Sequence, residues 1–254
     1  MSEADMGARL AEIVEAASAI ILPLWRTEVT VEEKSDKSPV TVADQRGEAL
    51  IIEALKRAWP DTPIVAEETV AAEGAPTSIA GRFFLVDPLD GTKAFIRGEA
   101  HFTVNIGLIE DGAPVAGAVA APATGEVWFT GGGGALKRRV GERGGTPVRV
   151  RPRGSEVLAL TSHTLKPEQL SDLEARYRFT ERQAMDSSIK LCLIAEGGAD
   201  LYPRHGTTME WDIAAGHAVL RAAGGRLTSP DGDPFVYGKA AEGFKNGWFV
   251  AQGG

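Results

Sequence analysis

Two carboxylates three residues apart, at the end of the apolar run Phe83-Phe84-Leu85-Val86, constrain this chain more than any other feature: Asp87-Pro88-Leu89-Asp90-Gly91-Thr92. Phe83–Asp87 reads as a buried strand, and Asp-Pro ends its ladder because proline has no N–H to donate. Asp-Gly then turns the backbone sharply and leaves Thr92 beside the acids. Hard oxygen ligands fixed at a strand's carboxyl end suit Mg²⁺, which binds through a few carboxylates and takes its remaining ligands from water and substrate phosphate. On its own the segment equally describes a turn followed by a helix cap. An Asp-x-Asp-Gly-Thr nucleophile loop is excluded, since position 88 is proline.

Three further acidic segments converge on the metal reading. Ile64-Val65-Ala66-Glu67-Glu68-Thr69 is a short β-branched run whose paired glutamates mark a second strand exit. Glu210-Trp211-Asp212-Ile213-Ala214-Ala215-Gly216 opens a helix, so Asp212 lies in a first turn, where it complements the helix dipole or reaches a cation. Thr41-Val42-Ala43-Asp44 has the spacing of a capping box before a helix over 45–58.

In order and wording these segments resemble the inositol monophosphatase superfamily of lithium-sensitive, Mg²⁺-dependent phosphomonoesterases. Its signature joins a Glu-Glu pair after a strand, Asp-Pro-Ile/Leu-Asp-Gly-Thr, and later Trp-Asp-x-Ala-Ala-Gly. The strings from Lys34 to Asp44, Thr92 to Ile96, Phe102 to Ile106, Ser187 to Cys192 and Ala199 to Arg204 are similar to the 3′(2′),5′-bisphosphate nucleotidases of the CysQ type. The Ser-Pro-Val-Thr segment is shared with histidinol-phosphate phosphatases.

The resemblance implies a layered αβαβα sandwich, an α/β fold, forming one phosphatase domain over 1–254. Its half at about 1–150 would carry most metal ligands, and its half at about 151–254 would add Asp212 and substrate contacts. It implies removal of the 3′-phosphate of adenosine 3′,5′-bisphosphate, with the sulfated precursor as a further substrate. Inositol-monophosphate or histidinol-phosphate hydrolysis is the alternative on the same scaffold, and a non-catalytic Mg²⁺ or nucleotide sensor a remote one. It also implies two Mg²⁺ ions per site, with a third as an option: Glu67, Asp87 and the Leu89 carbonyl on the first, Asp87, Asp90 and Asp212 on the second. Glu67 and Thr92 would orient and deprotonate the attacking water, with Asp44 and Glu68 in support. Leu89, Asp90, Gly91, Thr92, Ser188, Lys190, Tyr202, Arg204 and Asp212 would meet the substrate.

Two departures bear on substrate choice. Where these nucleotidases commonly have Ser-Arg-Ser-His or Ser-Lys-Ser-His, this chain has Leu160-Thr161-Ser162-His163, without the basic residue. Asp186 stands where glycine is frequent, adding negative charge.

Composition agrees with a compact soluble enzyme: 254 residues, 43% hydrophobic and 24% charged, with net charge −8. No basic stripe is evident to neutralise a nucleic acid polymer. One cysteine, Cys192, rules out an intramolecular disulfide and suits the cytoplasm, and neither a signal peptide nor a membrane span is expected. The expected active unit is a monomer or homodimer. Gly131–Gly134 lacks a following Gly-Lys-Ser/Thr and reads as a flexible hairpin, not a phosphate loop. Ser187-Ser188-Ile189-Lys190 has Ser-x-x-Lys spacing but no Lys-Thr-Gly or Ser-Asp-Asn partner, which argues against acyl-enzyme chemistry. His101, His163, His205 and His217 show no zinc spacing and read as packing or surface residues, with His205 possible at the substrate's border.

Overall fold

The computed structural model describes residues 3–27, 31–34, 39–163 and 165–254. Ser35–Ser38, part of the Lys34-to-Asp44 string, lie outside the described residues. A seven-stranded sheet follows chain order: Ile64–Ala66, Arg82–Asp90, Thr103–Glu110, Ala113–Ala121, Glu126–Gly131, Gly134–Arg139 and Thr146–Val148. A five-stranded sheet has the spatial order Glu181–Ala184, Leu158–Thr161, Leu201–Arg204, Phe249–Gln252, Arg226–Thr228.

Helices Glu3–Ile21 and Val42–Ala58 cover one face of the larger sheet, and Ile189–Ala195 and Glu210–Ala222 fill the space between the sheets. Pro167–Tyr177 packs on the outer face of the smaller sheet through Leu173, beside Val157, Phe179, Leu201 and Val250. The layers are therefore αβαβα, as the resemblance implied. Alternation explains the assignment: along Thr103–Glu110, Val104, Ile106 and Leu108 join the cluster under the N-terminal helices, while Ile109 joins the cluster facing the other sheet. A strand buried on both faces reads as nearly continuous apolar sequence.

Two features place the acids. Ile64–Ala66 pairs in parallel with the strand beside it, Ala66 opposite Val86, so the residues that follow, Glu67 and Asp87, stand side by side at one end of that pairing. The ladder does not stop at Asp87, as the Asp-Pro step suggested. It shifts register and resumes with Asp90 opposite Thr103, and Pro88 sits in the irregularity, where a missing N–H costs no ladder bond.

The second feature is a glycine pair. Gly107 and Gly117 face each other on adjacent strands. A Cβ on Gly107 would lie 2.8 Å from Ala214 Cβ, and one on Gly117 would lie 2.7 Å from the Ala215 carbonyl oxygen. Helix Glu210–Ala222 thus rests with its backbone almost on the sheet, which fixes the height of Asp212 in its first turn. Its start is anchored by buried Glu210, whose carboxylate accepts N–H bonds from Gly238 (2.9 Å) and Lys239 (3.0 Å).

Several strands escaped the sequence reading: Val31–Glu33 paired with Pro39–Thr41, Gly134–Arg139, Glu181–Ala184, Arg226–Thr228 and the short pair Thr208–Met209 with Lys245–Asn246. The glycine run is a tight turn between two long strands. Among the described residues no helix is long and apolar enough to cross a membrane, and Cys192 is a buried free thiol.

Replacing Gly107 by alanine should lower stability by about 1–3 kcal/mol through overpacking against Ala214, read as a lower urea midpoint at unchanged slope.

Candidate active site

A cavity of about 720 Å³ opens where the two sheets and the helices between them meet. Of the residues singled out from the sequence, Glu67, Asp87, Leu89, Asp90, Gly91, Thr92, Ser188, Lys190, Tyr202, Arg204 and Asp212 line it, while Asp44 and Glu68 stand behind that lining.

Each acid is held by its own local structure. Asp87 Oδ1 accepts the Leu89 N–H at 2.9 Å, a tight turn made by the Pro88 step. Gly91 has φ of +93°, and a Cβ there would meet the His101 carbonyl at 2.7 Å, so only glycine carries the chain from Asp90 into the short helix Thr92–Ile96. Asp90 Oδ2 accepts the backbone N–H of Ser188, which binds the two halves of the chain together. Ser188 Oγ in turn lies 2.8 Å from Thr103 Oγ1 and donates to Asn105 Oδ1 at 2.7 Å. Asp212 Oδ2 accepts the Met209 N–H at 2.9 Å.

The Thr41-x-x-Asp44 spacing forms a true capping box: Asp44 Oδ2 accepts from Thr41 N–H (2.8 Å) and Thr41 Oγ1 (2.7 Å). Its other oxygen, Oδ1, is 3.1 Å from Thr92 Oγ1, which also reaches the Leu89 carbonyl at 3.0 Å. The cap and the functional reading are thus two ends of one carboxylate.

The paired glutamates stand at a strand exit, as the sequence reading had them: strand Ile64–Ala66 ends and Glu67 and Glu68 open helix Glu67–Glu73, which has no side-chain cap of its own. Buried Glu48 supplies one from the neighbouring helix, accepting from Glu68 N–H (2.7 Å), Thr69 N–H (2.8 Å) and Thr69 Oγ1 (2.7 Å). Lys34 Nζ bridges Glu67 Oε1 and Glu68 Oε1, both at 2.7 Å, with the lysine side chain 7% exposed. Burial opposes that charge, but Glu67 and Glu68 outweigh it and raise the ammonium's pKa. Neither Glu48 nor Lys34 was singled out; helical spacing from Asp44 to Glu48 was the available signal.

Crowding of like charge dominates the electrostatics. Burial, then Glu67, Asp90 and Asp212, pushes the Asp87 carboxyl well above the ordinary carboxylate range. Burial, Asp90 and Glu67 do the same to Asp212. Burial lifts Asp90 to about 6 against the opposing pull of Lys190, and lifts Asp44 to about 6 against its bonds from Thr41. Glu68 reaches about 7 through burial and Glu67. Among the described residues no three acids are drawn into a ready-made coordination shell. A buried, mutually repelling set of hard oxygen donors nevertheless fits a divalent cation, which would restore the ionised forms.

Lys190 is fully inside the protein, where burial lowers its pKa to about 8. Its Nζ donates to the carbonyls of Ser187 (2.7 Å) and Met185 (3.1 Å), holding the loop in which Ser187 takes φ of +63°. It shapes the wall as well as lining it. Tyr202 lies under Lys190 Nζ, 4.8 Å from its ring centre, and packs edge-on against Phe249. Thr161, the position without the expected basic residue, is buried in its strand, whereas Ser162 and His163 line the cavity, His163 as the exposed residue the sequence reading expected. His217 is buried against Tyr237, and His205 stacks on Trp248.

Two predictions follow from these contacts. Glu48→Ala should destabilise the fold by about 1–2 kcal/mol, the worth of a helix cap, and weaken Mg²⁺ binding about tenfold, with Glu48→Gln intermediate in both, measured by urea unfolding and calorimetry. Carboxyls with folded pKa values of about 6 to 7 retain protons that an unfolded chain releases above its ordinary values near 4, so the metal-free fold loses stability as pH rises through this window. The gain in melting temperature from Mg²⁺ should therefore be larger at pH 7.5 than at pH 5.

A model described as the inositol monophosphatase family matches residues 5–251. The 3′(2′),5′-bisphosphate nucleotidase CysQ of Salmonella typhimurium is 42% identical over 205 residues, covering 80% of this chain and 81% of that protein. A histidinol-phosphatase of Mycobacterium tuberculosis is 34% identical over 253 residues, covering 95% of this chain and 93% of that protein. The crystal structure of CysQ from Bacteroides thetaiotaomicron superposes with a TM-score of 0.78 at 30% identity, covering 98% of this chain and 97% of that one. With a family match spanning almost its whole length and an αβαβα fold built around the signature acids, the chain belongs to the inositol monophosphatase family.

Proposed function

We propose that this protein is a Mg²⁺-dependent 3′(2′),5′-bisphosphate nucleotidase that releases the 3′-phosphate of adenosine 3′,5′-bisphosphate to leave AMP, with the sulfated analogue as a second substrate. The observation that carries the chemistry is the set of buried, repelling carboxylates Asp87, Asp90 and Asp212 beside Glu67 on one cavity. Identity to CysQ proteins supports the substrate, and the histidinol-phosphatase relative supplies the second reading.

Glu67, Asp87 and the Leu89 carbonyl would hold one cation, and Asp87, Asp90 and Asp212 another, with Glu68 and Asp44 near a third. Bound divalent ions supply charge neutralisation to the phosphoryl group and the departing alkoxide. The chain's own groups do the rest. The Thr92 hydroxyl donates to Asp44, which turns its lone pairs toward a water, and Glu67 accepts that water's proton. Backbone N–H groups of Gly91 and Thr92 meet phosphate oxygens. In-line displacement by that water needs no covalent enzyme intermediate. Lys190, Tyr202, Ser188 and Arg204 face the remainder of the substrate. A small substrate, a monomeric or homodimeric unit and a cytoplasmic setting complete the reading.

Phosphate release is expected from adenosine 3′,5′-bisphosphate in preference to inositol 1-phosphate and histidinol phosphate. EDTA should abolish it, and Asp90→Asn should reduce it by about 100-fold or more. A preference for histidinol phosphate would move the assignment within the family, and metal-independent release would contradict the mechanism.

A further inference from the structure

Four basic side chains among the described residues line the cavity: Lys93, Arg97, Lys190 and Arg204. They differ in how far their charge is committed. Lys190 Nζ is bonded to two backbone carbonyls deep in the wall. Arg97, at the end of the short helix that begins at Thr92, donates through Nε and Nη2 to Glu99 at 2.8 and 2.7 Å. Nη2 also donates to Asp186 Oδ2 at 2.9 Å, across the cavity from the other half of the chain. Asp186 precedes Ser187 and Ser188, the latter tied to Asp90, so the pair joins the Asp-Gly-Thr wall to the Ser-Ser wall.

A guanidinium has five N–H donors, and Nη1 of Arg97 makes none of these bonds. The pair is partly exposed, with side-chain accessibilities of 47% for Arg97 and 24% for Asp186, so solvent screening keeps it exchangeable. A phosphate dianion carries more charge than one carboxylate and accepts a guanidinium through two parallel bonds. It therefore competes well for the same cation. Asp186 is also the substitution that the sequence marked as unfavourable for an anion pocket, and in the structure its charge is met by Arg97.

We propose that Arg97 reads the second phosphate of the substrate and that Asp186 competes with that phosphate for the guanidinium, so that the pair sets the preference for bisphosphates over monophosphates. The assignment rests on the nucleotidase reading above, and adds to it a specificity pair outside the metal-binding acids.

The test is equilibrium binding of adenosine 3′,5′-bisphosphate and of adenosine 3′-monophosphate, by calorimetry in Ca²⁺, to wild type, Arg97→Ala, Arg97→Lys, Asp186→Asn and the Arg97→Ala/Asp186→Asn double variant. The preference for the bisphosphate should fall about tenfold in Arg97→Ala, the scale of one charge-assisted hydrogen bond, and partly recover in Arg97→Lys. It should rise about threefold in Asp186→Asn and return to the Arg97→Ala value in the double variant. A preference unchanged by Arg97→Ala overturns the proposal, as does a gain from Asp186→Asn that persists without Arg97. Absence of binding of either nucleotide to wild type overturns both the pair and the nucleotidase reading. Phosphate release by wild type separates the two claims: an Arg97-dependent preference without turnover rejects the reading and keeps the pair, and turnover with an Arg97-independent preference does the reverse.

Discussion

Mutual repulsion among buried carboxylates is the constraint around which this molecule is arranged. Asp87 is 1% exposed and faces Glu67, Asp90 and Asp212, all raising the cost of its ionised form. Such a cluster persists only when the surrounding fold over-determines it and something offsets the charge. The fold contributes in both ways. Lys34 spans Glu67 and Glu68, Lys190 opposes the upward push on Asp90, and Asp87, Asp90 and Asp212 each spend one oxygen on a backbone N–H. These bonds orient the remaining oxygens without neutralising them, and a divalent cation is the chemically matched complement.

The scaffold delivers these acids from four separate places. A parallel strand pair aligns Glu67 with Asp87. A register shift carries Asp90 around Pro88. A glycine pair lowers helix Glu210–Ala222 onto the sheet and brings Asp212 to the same depth. A capping box aims Asp44 at Thr92. Because the Ser188 N–H is bonded to Asp90, the cavity wall from one half of the chain is registered directly on the acids of the other. A small displacement of either sheet thus moves the buried acids and the facing cavity wall together.

Much of this was legible in the sequence because short motifs carry local geometry. Asp-Pro-Leu-Asp-Gly-Thr implies a turn at a strand's end, Thr-x-x-Asp a cap, and Trp-Asp a helix start, and each of these elements is present. What was not legible depended on partners distant in sequence. Glu48 caps a helix twenty residues away, Lys34 reaches across more than thirty, and Arg97 meets Asp186 across nearly ninety; none of these spacings has a periodic signature. The strand Arg82–Asp90 outlasted its Asp-Pro step because the sheet accommodates an irregularity at its end, a tertiary choice that local chemistry does not encode. Edge strands such as Glu181–Ala184, with charged residues and little apolar alternation, take their shape from pairing with Leu158–Thr161.

Anomalous diffraction from crystals soaked in Mn²⁺ tests the central claim most directly, because it locates a divalent ion irrespective of substrate. Peaks bounded by Glu67, Asp87, Asp90 and Asp212, with Lys34 displaced from Glu67, are the predicted result. A saturating soak that leaves the acids without a peak and Lys34 still bridging Glu67 and Glu68 would contradict it, and would make the cluster a lysine-neutralised structural core instead of a metal centre.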